Sequence, residues 1–146
     1  NAEQKKVIVE KICNDFGPDL SGKKFAVWGL AFKPETDDIR EAPALTIISS
    51  LLKMGASVSA YDPEAMGHIR QIYGDSIQLV STKENALTNA DALILLTEWD
   101  AFKDPDWSAV RNTMIGDYVY DGRNIYDPKD VLGVGFSYRG IGRGVL

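Results

Sequence analysis

The feature that most constrains this chain is a regular alternation. Short apolar runs, each closed by Gly, Asp or Pro, take turns with segments whose apolar residues recur at helical spacing. Phe25-Ala26-Val27-Trp28, bounded by Gly29, reads as the first buried strand. Pro43 opens a helix over 43–54, with Gly55 where a C-terminal cap belongs. A strand over 58–61, a helix over 64–73, a short strand over 77–80 and a helix over 83–89 follow. The very apolar Ala92-Leu93-Ile94-Leu95-Leu96 is the next strand. A helix over 107–114, a strand over 118–120, a short helix led by Pro128 and a weak strand over 136–138 complete the series. Strands separated by helices pair in parallel, and the helices cover both faces of the sheet. The expected fold class is therefore α/β: a Rossmann-like, doubly wound parallel sheet, preceded by the end of a long helix.

That first helix is already under way at the start of the chain. Val7, Ile8, Val9, Ile12, Cys13 and Phe16 form its apolar stripe, interspersed with Lys5, Lys6, Glu10 and Lys11. Residues 1–16 read as the tail of a longer helix and 17–146 as the domain proper, so the chain is expected to be a piece of a larger protein. With 146 residues, 45% hydrophobic and 25% charged, it can bury one core. A formal net charge of −5 argues against a general nucleic-acid binder, which needs a basic face to neutralise a phosphate backbone. The one cysteine, Cys13, rules out an internal disulfide and suits a reducing compartment, so the cytoplasm is expected. No apolar run approaches the ~20 residues that cross a bilayer, and residues 1–16 are too charged for a secretory signal.

In an open α/β sheet, ligands bind outside the carboxyl ends of the strands. The loops to inspect are thus 29–43, 62–64, 97–103 and 121–126. The first is long for a connection that typically takes ~2–6 residues. It is not the dinucleotide fingerprint G-x-G-x-x-G, because Ala31 and Pro34 stand where glycines are required. A phosphate held here is held by side chains, and Lys33 and Arg40 have the chemistry for it. The same two residues equally fit surface charges paired with Glu35, Asp37, Asp38 or Glu41. Arg123, after the turn-forming Gly122, either points over the sheet edge or is solvated. Asp62-Pro63 reads as a turn and helix cap rather than a ribose-binding acid. In Thr97-Glu98-Trp99-Asp100, Trp99 packs and the polar residues cap the next helix. Cys13 reads as core packing, and His68 as a surface residue with no partner in the pattern. Asp37 and Asp38 read as capping and local ion pairing with Arg40, not as a magnesium site. No nucleophile has an adjacent base and no metal-ligand set is present in the pattern, so no catalytic residue is assigned.

Four stretches in order resemble the C-terminal, sugar-nucleotide-binding domain of the UDP-glucose dehydrogenase family. They are residues 28–43 (Trp28-Gly29-Leu30-Ala31-Phe32-Lys33-Pro34 through Arg40-Glu41-Ala42-Pro43), Ala60-Tyr61-Asp62-Pro63, Leu96-Thr97-Glu98-Trp99-Asp100-Ala101-Phe102, and Asp121-Gly122-Arg123-Asn124-Ile125-Tyr126-Asp127-Pro128. The closing Tyr138-Arg139-Gly140-Ile141-Gly142-Arg143 is similar to the family's end. The resemblance implies an enzyme that takes a sugar 6-alcohol to a carboxylate by two hydride transfers to NAD, through a cysteine thioester. It implies that Phe32 and Lys33 contact the nucleotide sugar, that Arg123 binds the UDP portion, and that Arg40 reaches NAD held by the other domain. The family's NAD fingerprint, catalytic cysteine and catalytic lysine precede this stretch; Cys13 does not match the catalytic position. The chain alone is accordingly expected to be inactive, to require the N-terminal domain as partner, and to belong to a homodimer in the longer protein. UDP-glucose is the expected ligand. A UDP-N-acetylmannosamine or GDP-mannose dehydrogenase is the near alternative. A stand-alone receiver domain fits poorly, since Asp37 and Asp38 fall too far past Gly29 and Arg123 stands where it needs lysine.

Overall fold

The computed structural model describes residues 2–141 and has the expected alternation. Its elements are α1 (Ala2–Phe16), β1 (Lys24–Trp28), α2 (Pro43–Lys53), β2 (Ser57–Tyr61), α3 (Met66–Tyr73), β3 (Gln78–Leu79), α4 (Lys83–Ala86), β4 (Ala92–Leu95), α5 (Trp107–Thr113), β5 (Tyr118–Asp121), α6 (Pro128–Gly133) and β6 (Ser137–Gly140), with single 3-10 turns at Gly74–Ser76 and Asp100–Phe102. The strands form one sheet in the order β3-β2-β1-β4-β5-β6. All five pairings are parallel. This is the doubly wound topology, with the switch in strand order between β1 and β4. Gly142 and Arg143, which close the last sequence motif, lie outside the described residues.

Both faces of the sheet are covered, which is why β1 and β4 are continuously apolar rather than alternating. On one face Ile8 and Ile12 of α1, Ile47, Ile48 and Leu51 of α2, and Ile69 of α3 pack with Phe25, Val27 and Ile94. On the other, Ala86, Trp107, Val110 and Val131 from α4, α5 and α6 pack with Trp28, Leu93, Leu95 and Val119. Each fully buried aliphatic side chain contributes roughly 1.5–3 kcal/mol of transfer free energy. Trp28 stacks on Phe102 with ring centroids 5.2 Å apart. Its indole N–H donates to the Lys83 carbonyl at 3.0 Å, so the ring is buried without an unpaired donor.

Several element ends differ from the expected ones, each for a local reason. Helix α3 begins at Met66 instead of residue 64, because the Asp62 carboxylate takes the Glu64 and Ala65 N–H groups into a turn of its own. Helix α4 stops at Ala86, and Asn89, with φ +58°, lies in the left-handed region that no helix continues through. Strand β6 runs on through Arg139 to Gly140. Arg139 there donates from Nε and Nη2 to the two carboxylate oxygens of Asp15, both at 3.0 Å. Tyr120 of β5 donates to the same carboxylate at 2.7 Å, so the end of α1 is fastened to two strands by a buried polar cluster. Asp15 and Tyr120 carry no local signal in the sequence, and Arg139 enters it only as part of the closing motif.

Candidate functional site

Register lines up the strand ends along one edge of the sheet. Trp28 sits opposite Tyr61 and Leu95, Leu95 opposite Asp121, and Asp121 opposite Gly140. The loops that leave this row carry the candidate residues. Gly29, φ +100°, turns the chain out of β1, and a Cβ built on it would meet the Thr97 backbone nitrogen at 2.5 Å. The β1 and β4 loops therefore touch backbone to backbone at the switch point.

Asp62 is the hub of this edge. It is fully buried. Its Oδ2 accepts from the Leu30 and Ala31 N–H groups at 2.7 and 3.1 Å and from the Trp99 indole N–H at 3.2 Å. Its Oδ1 accepts from the Glu64 and Ala65 N–H groups, both at 2.8 Å. The expected turn is present but the expected helix cap is not, since α3 has Ala65 at its N-cap with no side-chain bond; the carboxylate instead also ties the β1 and β4 loops together. The Thr97 hydroxyl adds a bond to the Ala31 carbonyl at 2.7 Å. Trp99 is buried as expected. The next helix, however, is not capped from 97–100: α5 takes its side-chain cap from Asp106, which accepts from the Ala109 N–H.

Beyond this knot the loop is presented to solvent. The Phe32 N–H donates to the Asp38 carbonyl at 2.8 Å and folds residues 32–38 back on themselves. Phe32 remains 46% exposed, and Lys33 is exposed. Arg40 projects outward with its guanidinium on both oxygens of Asp38, at 2.8–3.2 Å. Those hydrogen bonds hold the Asp38 carboxyl down at about 2 and raise Arg40 further above its already high range. The local ion pair considered for Asp38 is thus present, whereas the capping is absent: the N-cap of α2 is Ala42, with no side-chain cap. His68 does have a partner, contrary to the sequence reading. Its Nε2 lies 3.0 Å from Asp37 Oδ2, across from α3 to the β1 loop. Cys13 is half-buried on α1, with its thiol 3.6 Å from the Met54 sulfur.

On the far side of β4, Asp121 organises the turn of β5. It is buried and accepts from the Arg123 N–H at 3.2 Å, the Tyr126 N–H at 2.9 Å and the Tyr138 hydroxyl at 2.8 Å. Asn124 exchanges two bonds of 2.8 Å with the backbone of Ile141. Arg123 stands between them, donating Nε and Nη2 to Glu98 Oε2 at 3.0 and 2.8 Å. Its other guanidinium nitrogen has no protein partner among the described residues. Glu98, Gly122, Arg123, Asn124 and Ile141 line a cleft of about 230 Å³. Lys33 and Arg123 thus leave neighbouring parts of the same edge, from loops on either side of β4, and no direct bond joins them among the described residues. A larger concavity of about 690 Å³ lies at the amino ends of β1, β2 and β3, beside Lys24, Ser57 and Arg70. It is open, faces away from the loops and carries no comparable constellation.

Strand order and covered faces define a Rossmann-like, doubly wound α/β domain whose carboxyl edge carries charged side chains on its loops. Residues 26–128 match the UDP-glucose/GDP-mannose dehydrogenase family, UDP binding domain, and the chain belongs to that family. It is 40% identical to UDP-glucose 6-dehydrogenase of Pseudomonas aeruginosa over 98% of this chain and 33% of the relative. With the corresponding enzyme of Rhizobium meliloti the identity is 38%, over 98% of this chain and 32% of the relative. The chain spans about a third of the length of these curated relatives. Among solved structures, a UDP-glucose dehydrogenase from Pyrobaculum islandicum superposes with a TM-score of 0.79 at 30% identity, covering 97% of this chain and 30% of that one. A UDP-D-ManNAc dehydrogenase from Pyrococcus horikoshii gives 0.73 at 28%, covering 98% and 31%. No helix among the described residues is long and apolar enough to cross a membrane.

Proposed function

We propose that this chain is the sugar-nucleotide-binding domain of an NAD-dependent UDP-glucose 6-dehydrogenase, with α1 the end of the helix that links it to an N-terminal domain. The observation that carries the reading is the placement of Phe32, Lys33 and Arg123 on loops that leave the carboxyl edge of the sheet after β1 and β5, on either side of β4. Support for UDP-glucose comes from the family match and from relatives of that name. In this reading Lys33 supplies positive charge to the diphosphate, Phe32 offers an apolar ring to the sugar nucleotide, and Arg123 uses the nitrogen not committed to Glu98 to hold the UDP portion.

NAD accepts hydride in such an enzyme, and its main holder is not this chain. The glycine fingerprint is missing at Ala31 and Pro34. The acid that would meet a ribose, Asp62, spends both oxygens on backbone and indole N–H groups. Among the described residues Arg40 suits that partner, because its side chain is 88% exposed and its guanidinium, oriented by the Asp38 carboxylate, still faces outward toward a cofactor held by another domain.

The test is an amide NMR titration of the chain with UDP-glucose and, separately, with GDP-mannose. Shifts at Phe32, Lys33 and residues 121–124 with UDP-glucose alone are expected, and Arg123→Ala should abolish them. Retained affinity in that variant would remove Arg123 from the site. A stronger response to GDP-mannose would transfer the chain to the guanosine branch of the family.

A further inference from the structure

We propose that Asp62 and Thr97 are positioning residues that set Lys33 for the diphosphate of the nucleotide sugar. The inference rests on Lys33 contacting that ligand. Strand β1 lies between β2 and β4, and each neighbour sends one buried polar side chain onto the loop that leaves β1. Asp62, directly after β2, accepts the N–H groups of Leu30 and Ala31. Thr97, two residues after β4, donates its hydroxyl to the Ala31 carbonyl. The peptide groups on both sides of Ala31 are therefore fixed, one through its N–H and the other through its oxygen. Both side chains are fully buried.

Neither residue has freedom to relax. The other Asp62 oxygen is committed to Glu64 and Ala65, so the carboxylate cannot follow the β1 loop without breaking the turn after β2. Thr97 is wedged against Gly29, whose missing side chain lets the two backbones meet. Lys33 itself is exposed, yet its backbone starts two residues beyond this clamp. A point charge on a flexible stem loses directional precision unless its root is held. The acid at the end of the second strand, which meets a ribose in dinucleotide-binding sheets, is here turned inward to hold that root.

A purely structural role makes a different prediction, and a double-mutant cycle separates the two. UDP-glucose affinity of this chain is measured by NMR titration for the unmodified protein, Lys33→Ala, Thr97→Val, Asp62→Asn, and each of the last two combined with Lys33→Ala. Loss of one charged hydrogen bond lowers affinity by about tenfold or more, which is the expectation for Lys33→Ala. Thr97→Val is expected to weaken binding about threefold and Asp62→Asn more, with both effects largely vanishing once Lys33 is absent. The amide shifts of residues 121–124 should stay in place in Thr97→Val. Equal losses with and without Lys33, or no loss in either variant, overturn the positioning role and leave Lys33 in the site. Unchanged affinity in Lys33→Ala overturns the assignment of Lys33 and this inference with it. Should Asp62→Asn fail to fold, Thr97→Val removes a single hydroxyl and carries the cycle alone.

Discussion

Gly29 shows how narrowly the edge is built. Its φ of +100° is strained for any L side chain, and an added Cβ would stand 2.5–2.7 Å from the backbone nitrogen, Cβ and Oγ1 of Thr97. Thr97 cannot retreat without losing its bond to Ala31. Gly29→Ala should therefore cost roughly 2 kcal/mol or more, seen as a lower urea midpoint at unchanged slope. Gly67, on the exposed side of α3 with nothing within 4 Å of a built Cβ, is the control: Gly67→Ala should stabilise by roughly 0.5–1 kcal/mol. The same contrast explains which residues the sequence reveals. Lys33 and Arg123 are legible because a charged residue just past an apolar strand lies on the ligand edge of this topology. Asp62 is legible only as a turn, because the loop partners that define its second role are 31, 32 and 37 residues away along the chain. Glu98, the partner of Arg123, is 25 residues distant and hidden for the same reason.

Among the elements, α1 depends most on contacts that no periodicity discloses. Its apolar stripe predicts that it packs, and Ile8 and Ile12 do pack into the α2 face. What fixes its end is the bidentate Asp15–Arg139 pair, with side chains 12% and 10% exposed, joined by the Tyr120 hydroxyl. Removing one member of a pair this buried strands the other charge. Asp15→Ala should thus cost about 3 kcal/mol by chemical denaturation, whereas Asp15→Leu combined with Arg139→Met should cost less than Asp15→Ala alone. Equal or greater loss in the double variant would show that the pair contributes net stability rather than orientation. The alternation of apolar runs gives every strand and helix here its place in order, since buried strands and amphipathic helices differ in period. It misplaces the ends of α3 and α4, where the Asp62 carboxylate in the turn just before α3 and a left-handed Asn89 decide the boundary.

For the molecule as a whole, the covered sheet leaves its two faces to stability and its carboxyl edge to the loops that carry the candidate residues. Each face contains a buried tyrosine hydroxyl that resists ionisation. Tyr120, in the α1 and α2 layer, has its pKa pushed up by burial first and then by the hydrogen bond to Asp15. Tyr126, in the α5 and α6 layer, is pushed well above 10.0 by burial and by the nearby Asp121 carboxylate, while its hydroxyl donates to the Phe102 carbonyl at 2.8 Å. The unfolded chain releases both protons near their ordinary value of about 10, but the folded chain keeps them. Between those limits the unfolded state binds fewer protons, so stability is fully present below pH ~10 and falls as pH rises beyond it. Urea midpoints should be flat toward pH 9 and decline by pH 11. Tyr120→Phe and Tyr126→Phe isolate the share of the tyrosines: each should be less stable at pH 7, through its lost hydrogen bond, and less steep above pH 10. An unchanged slope in both variants would mean that the alkaline transition comes from the surface and not from the two cores.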